Sequence, residues 1–306
     1  MRAIFWKEMA DHFGRRRFLL LFGLVVMGTL WGVLVDTGRL VRGGDGFFFL
    51  DLFTTNTGIP ISLLTFISLF GPVIGIALGF DSINSERTQG TLARVLSQPV
   101  YRDAVFNGKF LAGLLTLTIV VLSMGISVVG LGMFRVGIAP SGEEMVRLIG
   151  FGLVTIAYLA FWLALAMTAS VLLRNAVTSA LISMGLWIGL SFFVTLGAAV
   201  LADQLVPVVS NTEEALRHFN IVTWASRLSP GALYTEAVSI LLDPIGGRVL
   251  TLLAIAPERL EGLLATPVSA GQSLQLVWPH IVALVAAAGA LAGVSYTKFM
   301  REEIRA

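Results

Sequence analysis

The sequence predicts an all-α polytopic membrane protein. It has six transmembrane helices, an N-terminal interfacial helix, a short helix on a cytoplasmic loop and a helical external segment. Two observations carry this. Of 306 residues, 56% are hydrophobic and 13% charged, against about 25% charged in soluble domains. The apolar residues also gather in runs of about 20, the length at which a helix crosses a bilayer with its backbone satisfied internally. A soluble bundle would need far more polar surface to cover such runs. Spans are expected at about 18–36, 59–80, 109–131, 149–173, 176–201 and 276–296, which makes residues 1–306 a single transmembrane domain.

Taken in order, residues 2–17 place Phe5, Trp6, Met9 and Phe13 on one helical face and Lys7, Glu8, Asp11 and Arg15 on the other. This is the pattern of a helix lying in the interface, with Trp6 at headgroup depth. Arg15-Arg16-Arg17 precedes the first apolar run, but that run is long enough to span and no clean small-residue cleavage pattern follows. It reads as a retained helix, not a signal peptide. The fourth and fifth spans meet at Arg174-Asn175, a tight helical hairpin. Most of the 21 Lys and Arg residues fall on the N-terminal side of this arrangement, so both termini are expected in the cytoplasm.

Two connecting segments stand out. In the loop Asp81–Gly108, a charged turn reaches Gly90 and a short amphipathic helix follows, with Leu92, Val95 and Leu96 on one face and Pro99 as its stop. The chain re-enters at Lys109, whose ammonium is expected to snorkel to the headgroups. Docking into a groove on a partner and an ordinary solvated loop both fit this pattern. The outside segment 202–275 is too polar to span. Ser229-Pro230 reads as an N-cap followed by proline at the first helical position, with a helix to about Leu242 and a stop near Asp243-Pro244. The expectation is a mostly helical external cap, part of which dips into the outer leaflet.

Composition and motifs exclude much chemistry. The chain has no cysteine, hence no disulfide framework and no thiolate metal site. There is no paired-histidine zinc helix and no nucleophile elbow. His12, His218 and His280 are far apart and read as ordinary surface or interface residues. Gly108-Lys109 resembles the end of a phosphate-binding loop, yet Phe110 stands where a magnesium-binding hydroxyl should be and Asp103 where the first glycine should be. No catalytic, metal or cofactor-binding residue is therefore assigned. A net charge of +2 offers no nucleic-acid face. Acids and bases are expected at span ends, so a proton- or sodium-coupled carrier would lack its carboxylate. Ser62, Thr65 and Ser68 on the second span, with Ser183 and Ser191 on the fifth, suit helix packing or the mildly polar lining of a translocation path.

The stretch from Gly79 to Leu111 resembles the ABC-2 type transporter permeases. These follow a pattern of acidic-x-x-x-Gly-Thr-Leu, then Leu-Leu-Ser-x-Pro-Val-x-Arg, then Gly-Lys. It is matched by Glu86, Gly90-Thr91-Leu92, Val95-Leu96-Ser97, Pro99-Val100, Arg102 and Gly108-Lys109. The resemblance extends over most of the chain and is similar to the branch of copper-related, sodium-export and drug-export permeases. It implies a dimeric transmembrane domain with a second, identical copy, bound to two copies of an ABC ATP-binding subunit that holds the ATP and magnesium. It implies a prokaryotic plasma (inner) membrane location and export of a hydrophobic or amphipathic substrate. By the same resemblance, Glu86, Gly90, Thr91, Leu92, Val95, Leu96, Pro99 and Arg102 belong to the coupling helix that docks on the ATPase. Arg87-Thr88-Gln89 depart from it, since many members are more acidic there. A membrane anchor relaying ATPase motion to an external protein at 202–275, without transport, is the alternative.

Overall fold

The computed structural model describes residues 2–14, 18–20, 22–23, 26–28, 48–54, 63–90, 101–207, 211–243 and 269–301. Among these every regular element is helical: α1 (Arg2–Gly14), α2 (Phe48–Thr54), α3 (Leu63–Gly79), α4 (Asn84–Thr88), α5 (Arg102–Val136), α6 (Gly142–Leu172), α7 (Ala176–Ile188), α8 (Val194–Leu205), α9 (Thr212–Ser226), α10 (Pro230–Leu242) and α11 (Ala270–Arg301). A π-helical turn, Gly189–Phe193, joins α7 to α8 without a break. Five helices among the described residues are long and apolar enough to cross a membrane: Leu63–Thr88, Arg102–Arg135, Gly142–Leu172, Ala176–Leu205 and Ala270–Arg301. They fall on the second to sixth expected spans. The first, 18–36, lies mostly outside the described residues, as do Ser62, loop residues 91–100 and external residues 244–268.

Helix α6 is the centre of the bundle. It opens with a reciprocal cap, in which Glu144 N donates to Ser141 Oγ (3.2 Å) and Ser141 N to Glu144 Oε2 (2.8 Å), satisfying two amides that the helix end would otherwise leave bare. Tyr158, Trp162, Leu163, Ala164, Ala166 and Met167 on it are almost wholly buried. Helix α3 runs beside α6 through Gly71, Gly75 and Gly79. A Cβ at Gly75 would lie 3.0 Å from Leu159 O, and one at Gly79 would lie 2.8 Å from Leu163 O. Small residues every fourth position let two backbones touch, which matters in lipid, where contact and not water exclusion drives association. Helix α11 lies along α6, with Thr168 Oγ1 donating to Leu291 O (3.0 Å) and Ala270 N to Glu143 Oε1 (3.1 Å). Asn175 caps α7 by accepting from Val177 N (2.8 Å), so the link to α6 is short. Even so, α7 and α8 expose apolar side chains along their length, Leu181 and Phe193 each at 68%.

The segment after α8 departs from a simple external cap. Helix α9 packs against α8, with His218 Nε2 2.9 Å from Asp203 Oδ1. The chain then turns at Arg227-Leu228-Ser229. Helix α10, capped by Ser229 Oγ accepting from Ala232 N (3.3 Å), starts beside Tyr158, the midpoint of α6, and beside Ser191 in the π turn. It returns outward along α6. Tyr234 stacks on Tyr158 at 4.4 Å between ring centroids, and Leu241 O accepts from Arg147 Nη1 (3.1 Å). The two helices thus form a re-entrant hairpin that reaches halfway down the bundle. Its inner face is apolar enough to be buried, with Tyr234, Ala237, Val238 and Leu241 at 0% exposure.

Candidate functional site

The Gly-Lys pair at residues 108 and 109 anchors a joint on the cytoplasmic side. Helix α1 crosses α5 at Gly108, where a Cβ would come within 3.1 Å of Ile4 Cγ2. The glycine therefore permits the close approach. One residue on, Lys109 Nζ sits 2.7 Å from Glu8 Oε1 of α1 and 2.9 Å from Glu86 Oε1 of α4. The side chains of Lys109, Glu8 and Glu86 are only 4%, 6% and 12% exposed. Lys7 Nζ borders the cluster at 3.4 Å from both carboxylates. One cation thus ties the interfacial helix, the start of the loop and a spanning helix together.

The charges in this joint hold one another ionised. Burial pushes the Glu8 carboxyl upward, but Lys109, by charge and hydrogen bond, and then Lys7 outweigh it and leave the pKa below its ordinary value. Burial alone would lower Lys7, and the facing Glu8 and Glu86 carboxylates raise it instead. The neighbouring contacts lock the same elements. His12 Nδ1 lies 3.1 Å from Thr116 Oγ1 of α5. The amides of Ile83 and Asn84 both donate to Ser170 Oγ of α6, at 3.1 and 3.2 Å. Arg87 Nη1 reaches Val171 O and Leu173 O, each at 3.5 Å, close to the negative end of the α6 dipole.

Several expectations are corrected here. Lys109 does not snorkel to the headgroups, because two carboxylates lie within hydrogen-bonding reach and neutralise it where it stands. His12 is not a surface residue but is buried between α1 and α5. His280 is buried too, with Nε2 3.2 Å from Glu236 Oε2 though not aligned for a hydrogen bond. Charged groups are also enclosed within the helices near their ends. Arg147 of α6 has no exposed surface, and its Nη1 donates to Ser273 Oγ (3.0 Å) as well as to Leu241 O. Glu144 accepts from Phe49 N (2.9 Å) in addition to its own cap.

Of the residues matched to the loop motif, Glu86 is in the joint. Gly90 follows α4 with φ +67°, a left-handed turn that favours glycine. Arg102 opens α5. Thr91, Leu92, Val95, Leu96 and Pro99 lie outside the described residues. Of the hydroxyl residues, Thr65 is exposed, and Ser183 is buried and bonded back to Ser179 O (2.8 Å). Ser68 and Ser191 come together at the tip of the re-entrant hairpin, since Tyr158 Oη donates to Ser68 O (3.0 Å) and Ser191 Oγ borders Gly231. Between α9 and α10 lies a groove of about 430 Å³ lined by Thr223, Ser226, Arg227, Thr235, Glu236 and Ser239 among others. In it Arg227 grips Glu236 through Nε (2.9 Å) and Nη2 (2.5 Å), with the Trp224 ring 4.3 Å from the guanidinium. A second cavity of about 460 Å³, between the outer halves of α5 and α6, has wholly apolar walls. No group of three or more histidine or acidic residues among the described residues could hold a metal ion.

A family model described as ABC-2 family transporter protein matches residues 2–304. The chain belongs to the ABC-2 transporter family. It is 28% identical over 240 residues to a probable ABC transporter permease protein NosY of Pseudomonas aeruginosa, covering 74% of this chain and 77% of that protein. It is 28% identical over 139 residues to the protein of the same description in Stutzerimonas stutzeri, covering 43% and 45%. This ABC-2 chain is therefore a multi-pass membrane permease, and its family implies an ATP-binding partner. The loop motif that carries the resemblance contains two of the three residues of the buried joint, Glu86 and Lys109. Its third residue, Glu8, lies 78 positions upstream of Glu86, and nothing in the spacing announces it. A signal for Glu8 was present only as an acidic side chain on a helix face that then proves to be the docked one.

Proposed function

We propose that the chain is the membrane subunit of an ATP-driven exporter, working as a homodimer with two copies of a separate ATPase subunit that binds the ATP and magnesium. The observation that carries this reading is the buried Lys109 joint. A loop meant only to be solvated has no need to anchor its first helix to a spanning helix through an enclosed ion cluster. A loop that must transmit force does. In this reading residues 86–102 dock on the ATPase, with Leu92, Val95 and Leu96 in its groove, and α1 lies beside them. Closure of the ATPase pair pulls the loop, and Lys109 passes the displacement to α5 while Ser170 passes it to α6. The termini lie in the cytoplasm and the membrane is a prokaryotic inner membrane. The chain itself performs no catalysis.

The test is purification from native membranes. The chain is expected to bring an ATP-hydrolysing subunit with it, and Gly90→Pro or Leu92→Asp is expected to release that subunit while the chain stays folded. If the chain purifies alone, or if both variants keep the subunit, the coupling role is wrong. Reconstitution of the complex in vesicles then separates export from mechanical relay. Export requires ATP-dependent movement of cargo across the bilayer, whereas a relay would hydrolyse ATP with no flux yet lose function on deletion within 210–270.

A further inference from the structure

Gly231, the second residue of α10, marks an enclosed space that is rich in hydrogen-bond donors. A side chain there would place its Cβ 3.5 Å from Ser229 Oγ, 3.7 Å from Ser191 Oγ and 3.8 Å from Tyr158 Oη. Three hydroxyls, from the hairpin tip, the π turn and the middle of α6, therefore ring a methyl-sized space. Their hydrogens are only partly used. Tyr158 Oη donates to Ser68 O (3.0 Å). Ser229 Oγ accepts from Ala232 N (3.3 Å), which leaves its own hydrogen to give. Ser191 Oγ is buried with no partner among the described residues. Trp162 is fully buried against the edge of the Tyr158 ring, and its indole N–H is also unpartnered. The first turn of the 13-residue helix α10 adds unpaired amides and the positive end of a dipole. An enclosed region with surplus donors is satisfied by an acceptor.

A polar track leads away from this cradle. Gly231, Thr235 and Ser239 recur at every fourth residue and so share one face of α10, opposite the buried Tyr234, Ala237, Val238 and Leu241. Thr235 and Ser239 also line the groove between α9 and α10, with Arg227 and Glu236 at the same wall. We propose that the cradle at Gly231 binds a small anionic, hydrogen-bond-accepting group of the cargo midway across the membrane, and that the polar face of α10 is its way out. The proposal rests on the export reading and adds a substrate class to it: the cargo carries an anionic head.

The chain has no cysteine, so Ser191→Cys introduces a single thiol. The complex with its ATPase subunit, in nanodiscs, is treated with the anionic reagent sulfonatoethyl methanethiosulfonate and with its trimethylammonium analogue, each rate normalised to a free thiol. The anion should react about tenfold faster than the cation, from half a unit of positive charge at the helix end in a medium of low dielectric. Adding Gly231→Ala should cut that rate by about tenfold while thermal stability holds or rises, because the space accepts a methyl group and alanine is the better helix former. Leu196→Cys, on the exposed apolar face of α8, should react with neither. Thr235→Cys gives the same reading one turn outward if Ser191→Cys fails to assemble. Slowing by inorganic sulfate identifies a free anion as the ligand, and slowing only in discs containing phosphatidylglycerol identifies a lipid headgroup. Equal rates for the two reagents, or a Gly231→Ala variant that labels like its parent, would overturn the cradle. Release of the ATPase by the loop variants is measured without any of these rates, so a failure of the export reading shows separately.

Discussion

Replacing Lys109 with methionine removes the one cation that touches both Glu8 and Glu86. The two carboxylate oxygens are held within about 6 Å of each other, since they sit 2.7 and 2.9 Å from the same nitrogen. Without Lys109 they face each other in a nearly dry site, with only Lys7 close by at 3.4 Å and with 56% of its side chain in solvent. Deleting one partner of a buried ion pair costs about 3–5 kcal/mol. The screened charge of Lys7 offsets a part, which leaves about 2–4 kcal/mol. At roughly 2–4 °C per kcal/mol for a chain of this size, the apparent Tm of the purified protein should fall by roughly 5–15 °C. The decisive arm is the neutral triple variant, Lys109→Met with Glu8→Gln and Glu86→Gln. Because the single variant suffers from stranded charge and not from lost volume, the triple should recover at least half of the loss. A Lys109→Met variant no less stable than Lys7→Met, or a triple variant as unstable as the single, would refute the assignment of a tightly coupled buried joint.

Three further outcomes follow from the same geometry. Glu8 has a depressed pKa in the folded chain, so its contribution is present above the ordinary carboxylate value of 4.5 and is lost as pH falls through the lower folded value. Thermal stability should stay level from neutral pH to about 5 and drop below that, and Glu8→Gln should flatten the acid limb. Gly79→Ala drives a methyl to 2.8 Å from Leu163 O, whereas Gly125→Ala meets nothing within 4 Å. The first should destabilise by about 1–3 kcal/mol and the second should stabilise by up to about 1 kcal/mol, as read from thermal unfolding in detergent. Ser170→Ala strands the buried amides of Ile83 and Asn84, at about 1–3 kcal/mol each. Hydrogen exchange should accelerate at those two amides before it does elsewhere in α3.

The parts of the fold that depend on neighbours in sequence could be read in advance. Apolar runs mark five spans that the structure describes, and Ser229-Pro230 marks the start of α10 to the residue. The stripe Gly71-x-x-x-Gly75-x-x-x-Gly79 was also visible in principle, as a sign of backbone contact between helices. What depends on neighbours in space could not be read. Glu8, Glu86 and Lys109 meet only because three elements converge, and taken singly each looks like a charge at the edge of the membrane. The re-entrant hairpin hid for a different reason. Helix α9 carries Glu213, Glu214, Arg217 and His218, so hydropathy assigns it to water. Hydropathy does not register that a polar helix can descend beside a groove that it helps to line. His280 and Arg147 were misjudged in the same way, since their partners Glu236 and Leu241 lie in a segment that was expected to sit outside.

Helix α5 has 35 residues, about 52 Å at 1.5 Å per residue, well beyond the roughly 30 Å of a hydrocarbon core. It is fastened near its foot by Lys109 and rests on Leu163 at Gly113, where a Cβ would lie 2.9 Å away. Its far end meets Phe49 of α2 at Gly132, also at 2.9 Å. A stiff rod bearing on Gly113 has a short arm of about 16 Å below and a long arm of about 35 Å above. Leverage of this kind turns a displacement of 1 Å at the cytoplasmic foot into roughly 2 Å at the outer rim. The bundle would then gear a small stroke up across the membrane, and paired spin labels at residues 104 and 134 should report unequal travel when nucleotide binds.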